Sequence, residues 1–461
     1  MYKLNKFSKK RSLILNGNMA KVILILAGPI MLNNFIQTIY NLTDTYWVNK
    51  LGGTQMAAIT LIWPVVFFLI SIGMGMNIAG TSLISQYTGA DDKKNAANIA
   101  GQLLAFSITF SIIIGLIGFF AAHQIVSMMG GTGELLRMAK DYIQVIFLGL
   151  PTIYIFLAFT AIKQGQGDTL TPMKYSAISV SLNIILDPLF IFVFGFGIKG
   201  AAIATVLARG FVAIIAIYTL FYDDIGIKLN LNHLKLNKKI LNKIIKIGLP
   251  SSIGQSSAAF GFAVLNIFII SYGESTLAAF GLGNRINSLV MMPAMGIGNA
   301  LATIVGQNLG AEQVKRARKS IKTSALLSTF FMVTGGILLY PFIPAVIKLF
   351  NNNPEIASQG ITYLRLITLS LPLMGFFQIF VGTFQGSGHT IMAMIIMTGR
   401  LWILRIPMII IFKYYSSWGS SAIWYAMILS NLITCFVGFG LYLTGKWEKK
   451  VIKNEKTSLA G

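Results

Sequence analysis

Of the fourteen acidic residues in this 461-residue chain, two stand inside long apolar stretches. Asp44 closes the run Tyr40-Asn41-Leu42-Thr43-Asp44-Thr45, and Asp187 closes Asn183-Ile184-Ile185-Leu186-Asp187-Pro188. On a helix Tyr40 and Asp44 share a face, as do Asn183 and Asp187, because each pair is four residues apart. Pro188 cannot donate a backbone hydrogen bond and should free a carbonyl nearby. Thr205, in a later apolar run, can add a hydroxyl to the same cluster. Carboxylates, amides, hydroxyls and carbonyls together are the ligand set of a hard cation. A carboxyl shielded from water can equally carry a proton. These residues therefore point to binding of Na⁺ or H⁺, with the two left undecided. The alternative for each acid is a helix cap or a partner for Arg209.

The elements that must hold these residues are membrane helices. Hydrophobic residues make up 55% of the chain and charged residues 11%, where a soluble domain carries about 25% charged residues. Disorder and ordinary soluble domains are both excluded on that ground. Twelve apolar segments are long enough to span a bilayer. They centre on Ala20–Trp47, Ile59–Gln86, Ile99–His123, Tyr142–Ile162, Ser176–Phe194 and Ala201–Phe221, then on Leu249–Tyr272, Asn284–Gln307, Ser320–Ile347, Tyr363–Phe384, Ala393–Tyr415 and Ala422–Thr444. At membrane depth a carboxylate costs about 2.5–3.5 kcal/mol on insertion scales and is read as functional by default.

The net charge of +23 suggests nucleic acid at first sight, but basic cytoplasmic loops explain it better. With the N-terminus inside, Lys3, Lys6, Lys9, Lys10, Arg11, the block Lys228–Lys246, Lys315–Lys322 and the tail from Lys446 to Lys456 all fall on the cytoplasmic side. The single Cys435 and the scattered His123, His233 and His389 offer no disulfide and no metal cluster. No phosphate loop or activated nucleophile pair is visible, so an enzyme is not expected. The basic first 19 residues lack the apolar core of a signal peptide.

The chain also matches itself at an offset of 221 residues. Pro29 falls on Pro250, Ala57-Ala58 on Ala278-Ala279, Gln86 on Gln307, Gly89 on Gly310, and Pro151 on Pro372. Gln164-Gly165 and Gly167 fall on Gln385-Gly386 and Gly388. Six spans per half make this a parallel repeat, suited to two lobes around an alternately opening cavity. The expected organisation is a tail at 1–19, one lobe at 20–222, a basic linker at 223–246, a second lobe at 247–445 and a tail at 446–461. The second half lacks the acids: Asp44 corresponds to Leu265 and Asp187 to Met408. Ion chemistry is thus expected in the first half. Gln255, Asn266, Arg285, Gln378, Arg400 and Arg405 are read as helix-bonding or cavity-lining residues. Met291 and Met295, beside Pro293, are candidates for a cavity wall, because flexible methionines suit varied ligands.

At these residues the chain resembles the multidrug and toxic compound extrusion (MATE) family. The resemblance rests on Gly28-Pro29, Tyr40 to Val48, Leu51-Gly52, Gln86 to Ala90, Gln164 to Thr169, Asn183 to Pro188, Gly306 to Ala311 and Gln385 to Gly388, over about residues 15–445. It implies an all-α membrane protein of twelve spans in two six-helix lobes. It implies a cation-coupled antiporter in the plasma (inner) membrane that exports organic, often cationic, drugs, needs no cofactor and works as a monomer. In the DinF-like branch, to which MepA-like proteins are close, the coupling role falls on Asp44 and Asp187 with Asn183 and Thr205 beside them. Gln37, Tyr40 and Asn41 would line the cavity, with Gln255 opposite, and Pro29 would mark a bend. The acids that the NorM-like branch carries in its seventh and tenth spans are missing here, which speaks against that branch's sodium site. The alternative function is a flippase for a lipid-linked saccharide precursor, kept open by Arg209, Arg285, Arg400 and Arg405.

Overall fold

The computed structural model describes residues 4–223, 226–351 and 353–452, with side chains from residue 8 onward. Lys3, Lys453 and Lys456, and the side chain of Lys6, lie outside the described residues. The described chain is helical, without strands. A short helix α1 (Leu4–Asn16) precedes the first-half spans. These are α2 (Met19–Asn49), α3 (Gly53–Gly89), α4 (Lys93–Met128), α5 (Gly133–Gly165), α6 (Leu170–Pro188) and α7 (Gly197–Tyr222). The second half holds α8 (Lys238–Ile270), α9 (Glu274–Gly310), α10 (Val314–Leu339), α11 (Ile343–Phe350), α12 (Pro354–Leu369), α13 (Leu371–Gly386), α14 (Thr390–Thr398), α15 (Ile406–Tyr415) and α16 (Ser421–Leu443). Among the described residues, eleven helices are long and apolar enough to cross a membrane, counting α6, α10–α11 and α14–α15 each through its short connection. The pair α12–α13, broken by 54° at Ser370, brings the number to twelve. The sequence predicts that span unbroken; Pro372, which has no N–H to give the preceding turn, stands just past the break.

Local chemistry sets several helix starts. Asn18 accepts a hydrogen bond from the Lys21 amide at 3.2 Å and Asp92 from the Asn95 amide at 3.0 Å, each covering an otherwise orphaned donor of a first turn. The repeat is written into the backbone as well. Left-handed residues occur in pairs at the 221-residue offset: Gly52 and Gly273 (φ 128° and 117°), Asp91 and Glu312 (58° and 61°), Gly167 and Gly388 (81° and 83°). Pro29 lies inside α2, which runs through it as one continuous helix.

The two halves exchange packing partners at the end of the bundle that carries both termini. The first turns of α2 (Val22, Ile23, Ala27, Ile30) pack into a cluster with Ile297, Leu301 and Ile304 of α9 and Phe384 of α13. Correspondingly, Ile244 and Ile247 of α8 join the cluster of α3, α4 and α5. Close backbone contact seals this end. A Cβ added at Gly89 would lie 1.9 Å from the Gln307 carbonyl oxygen, and one at Gly310 would lie 1.9 Å from that of Gln86. Gln307 Nε2 donates to the Gly165 carbonyl at 2.9 Å, and Gln86 Nε2 donates to the Gly386 carbonyl at 3.4 Å. These contacts mirror each other across the repeat.

Candidate functional site

Helices α2, α6 and α7 bring together the polar residues singled out in the first half. Asn183 Nδ2 donates to Asp187 Oδ1 at 2.9 Å, one helical turn away on α6. The same amide reaches Thr205 Oγ1 of α7 at 3.4 Å. Thr205 Oγ1 in turn shares a hydrogen bond of 3.2 Å with the hydroxyl of Tyr40 on α2. Gln37, one turn before Tyr40, donates to Ser176 Oγ of α6 at 2.8 Å. Asp187 is fully buried and Asn183 and Thr205 nearly so. Directly after Pro188 the helix widens into one π-helical turn, Leu189–Val193. Such turns often accompany functional sites.

Among the described residues, three acceptor oxygens have no hydrogen-bond partner: Asp187 Oδ2, Asn183 Oδ1 and, farther along α2, Asp44 Oδ1. Asn183 lines a small cavity of about 20 Å³ together with Gln37, Tyr40, Ser179, Thr205 and Arg209; Asp44 and Asp187 are not in its wall. The cavity is the size of one water or one small cation. Arg209 lies over the Tyr40 ring, with Cζ 5.7 Å from its centroid. Among the described residues, neither Asp44 nor Asp187 forms an ion pair with it.

Tyr40, Thr205 and Arg209 also border a second, larger cavity of about 450 Å³. Its further walls are Asn41, Asp44 and Thr45 of α2, Met56 to Ile70 of α3, Tyr142 to Ile153 of α5, and Arg285 of α9. It occupies the half of the bundle away from the termini. Gln255, Met291 and Met295 are not among its lining residues. Met291 packs with Ala294, Met332 and Leu371 in a core cluster of the second half, and Met295 is among the exposed apolar residues. Of the two, Met291 alone serves packing. Pro29 borders a different cavity, with Lys10, Lys163, Asp168 and Lys174. The sequence reading missed Ser176, Ser179 and Tyr142; the serines' signal is helical spacing from Asn183 on α6, and that of Tyr142 on α5 is only a polar atom in an apolar run.

Two repeated lobes with a polar cavity at membrane depth define a polytopic membrane protein of secondary-transporter architecture. The chain belongs to the MatE family, whose model matches residues 29–189 and, a second time, 250–411. It is 28% identical to the Probable multidrug resistance protein YpnP of Bacillus subtilis, covering 95% of this chain and 98% of that one. It is 27% identical to the Multidrug export protein MepA of Staphylococcus aureus, over 80% and 82%. A solved multidrug resistance MATE transporter of the MOP superfamily, in an outward-facing conformation, superposes with a TM-score of 0.89 at 29% identity, over 94% and 96% of the two chains.

Proposed function

We propose that this protein is a cation-coupled antiporter of the plasma membrane, not an enzyme, that exports amphipathic drugs by alternating access and works as a monomer. H⁺ or Na⁺ is the coupling ion, and Asp44, Asp187, Asn183 and Thr205 carry it. The observation that supports this best is the set of acceptor oxygens on Asp187, Asn183 and Asp44 that lack a partner among the described residues, with Asn183 in the wall of the small cavity and Asp44 in that of the larger one. A buried carboxylate oxygen without a donor is costly, and a proton or a small cation relieves that cost.

The cycle follows from the two ends of the bundle. The sealed end carries the basic termini and is read as cytoplasmic, so the large cavity opens outward. In that state the coupling cation enters from outside and neutralises the acids of the first lobe. Neutralisation changes what α2 and α6 prefer to pack against, and cargo in the larger cavity is exchanged for the ion. Ion and cargo have differential affinity for the two states, which is the only means by which either can shift the equilibrium. The family resemblance favours organic cations as cargo. A flippase for a lipid-linked saccharide precursor is the alternative, favoured by Arg209 and Arg285 in the cavity wall.

Ethidium efflux from cells expressing the protein tests the reading. Asp44→Asn and Asp187→Asn should each lower efflux at least tenfold at equal expression. Collapsing the sodium and proton gradients separately identifies the ion. Undiminished efflux in the double variant would refute the coupling role. A cell-wall or glycan defect on deletion, without loss of efflux, would favour the flippase.

A further inference from the structure

The larger cavity holds more fixed positive than negative charge. Its wall carries Arg209 from the first half, Arg285 from the second, and one carboxylate, Asp44. Arg209 is twelve residues into α7 and Arg285 eleven into α9, so at 1.5 Å per residue each stands about 17 Å from the start of its helix. Both are therefore at membrane depth. Among the described residues no ion pair engages either guanidinium; the one contact of note is Arg209 over Tyr40. Arginine keeps its charge at any pH a cell reaches. Once a coupling cation or proton has neutralised Asp44, two unpaired guanidiniums remain in a cavity whose other walls are apolar (Met56, Ile59, Trp63, Val66) or neutral and polar (Tyr40, Asn41, Thr60, Tyr142, Thr205).

The rest of the second-half interior has the same sign. Arg405 donates to Ser430 Oγ at 3.1 Å and to Asn431 Oδ1 at 2.7 Å. Arg400 stacks on Phe377 at 4.1 Å and meets the Met374 sulfur at 3.0 Å. Both are buried with neutral partners. An organic cation in the cavity would meet the like charge of Arg209 and Arg285.

We propose that the cargo of this cavity is an amphipathic anion whose acidic head (carboxylate, sulfonate or phosphate) is held jointly by Arg209 and Arg285. Its apolar body lies against Trp63, Ile59 and Val66. The volume of about 450 Å³ suits a drug-sized molecule. The two arginines belong to opposite lobes, so rocking of the lobes changes their separation and grips the head group in one state only. This rests on the transporter reading above and extends its cargo to organic anions.

The test uses the purified full chain in liposomes with an imposed proton or sodium gradient. Transport of 2-naphthalenesulfonate, an aromatic anion charged at all working pH values, is measured beside that of ethidium. Flip of a short-chain fluorescent phosphatidylglycerol is measured in parallel. Wild type should move the sulfonate, and R209Q and R285Q should each lower the sulfonate-to-ethidium transport ratio at least tenfold, with R285K intermediate. Gradient-dependent flip of the anionic lipid, lost in R285Q while the sulfonate stays put, would assign the same anion contact to a lipid headgroup. Ethidium transport with neither anion moved, or a ratio unchanged in R285Q, overturns the anion proposal and leaves the transporter reading standing. If monodisperse protein moves none of the three, the transporter reading itself fails.

Discussion

At Asp187 the Asn183 amide satisfies one carboxylate oxygen and leaves the other without a donor. The pair thereby couples folding to function, and the two can be separated. Asn183→Leu removes the last donor to a fully buried acid and should destabilise the protein by about 1–3 kcal/mol, the usual cost of an unsatisfied buried group. The drop is read as a lower unfolding temperature in detergent. Replacing both members by apolar residues can be nearly neutral, so Asn183→Leu with Asp187→Leu should recover most of that stability while transport stays abolished. A double variant as unstable as the single one would show that the pair is held by more than its own hydrogen bond. The alternative reading of the two acids, as partners of Arg209, finds no ion pair among the described residues: Arg209 lies over the Tyr40 ring.

Between elements, closure depends on α3 and α9 touching backbone to backbone at Gly89 and Gly310. A methyl group at either position meets a carbonyl, which cannot yield as a side-chain tip can. Gly310→Ala should therefore hold the sealed end apart and shift the population toward opening there. With Cys435 replaced by Ser, a cysteine placed at the buried Ser82 should react with an aqueous thiol reagent severalfold faster in Gly310→Ala than in the parent. Equal rates would mean that the contact does not gate. The short helix α1 spans the same seam. Arg11 donates to the Thr88 and Gly89 carbonyls at the end of α3, at 2.9 and 2.8 Å. Arg316 of α10 donates to the Ile14 and Gly17 carbonyls, with its shortest contact 2.6 Å. Lys10 pairs with Asp168, between α5 and α6, at 3.0 Å. Burial pushes the Asp168 carboxyl up, but Lys10 and the Thr171 hydroxyl and amide outweigh it and hold the group below the ordinary carboxylate range. A lowered folded-state value makes this contribution complete above the ordinary aspartate range, near pH 4, and loses it as pH falls through the lowered value. Asp168→Asn should thus lower the unfolding temperature at pH 7, and the difference from wild type should shrink as pH falls below the ordinary aspartate range.

Over the whole molecule, the backbone is repeated and the chemistry is not. Both halves share three pairs of left-handed residues, their prolines at 29 and 250, and the reciprocal glutamine contacts of the sealed end. Yet acids at membrane depth belong to the first half, and the second half offers buried arginines instead. The basic ends predict that both termini face the cytoplasm: a reporter fluorescent only in the cytoplasm should be bright when fused at either end, and a dark C-terminal fusion would imply an odd number of spans. Span number, the repeat and the pairing of Asn183 with Asp187 were legible in the sequence, because membrane solvation demands long apolar helices and a four-residue spacing puts two side chains on one face. The break at Ser370, the core role of Met291 and the absence of Gln255 from the cavity wall were not. Each depends on which face of a nearly all-apolar helix meets a neighbour, and a helix apolar all round carries little amphipathic signal of its own orientation. For the same reason, only the tertiary structure decided that Arg209 and Arg285 face one cavity. They are 76 residues apart and on different lobes, and nothing but the packing of those lobes brings them together.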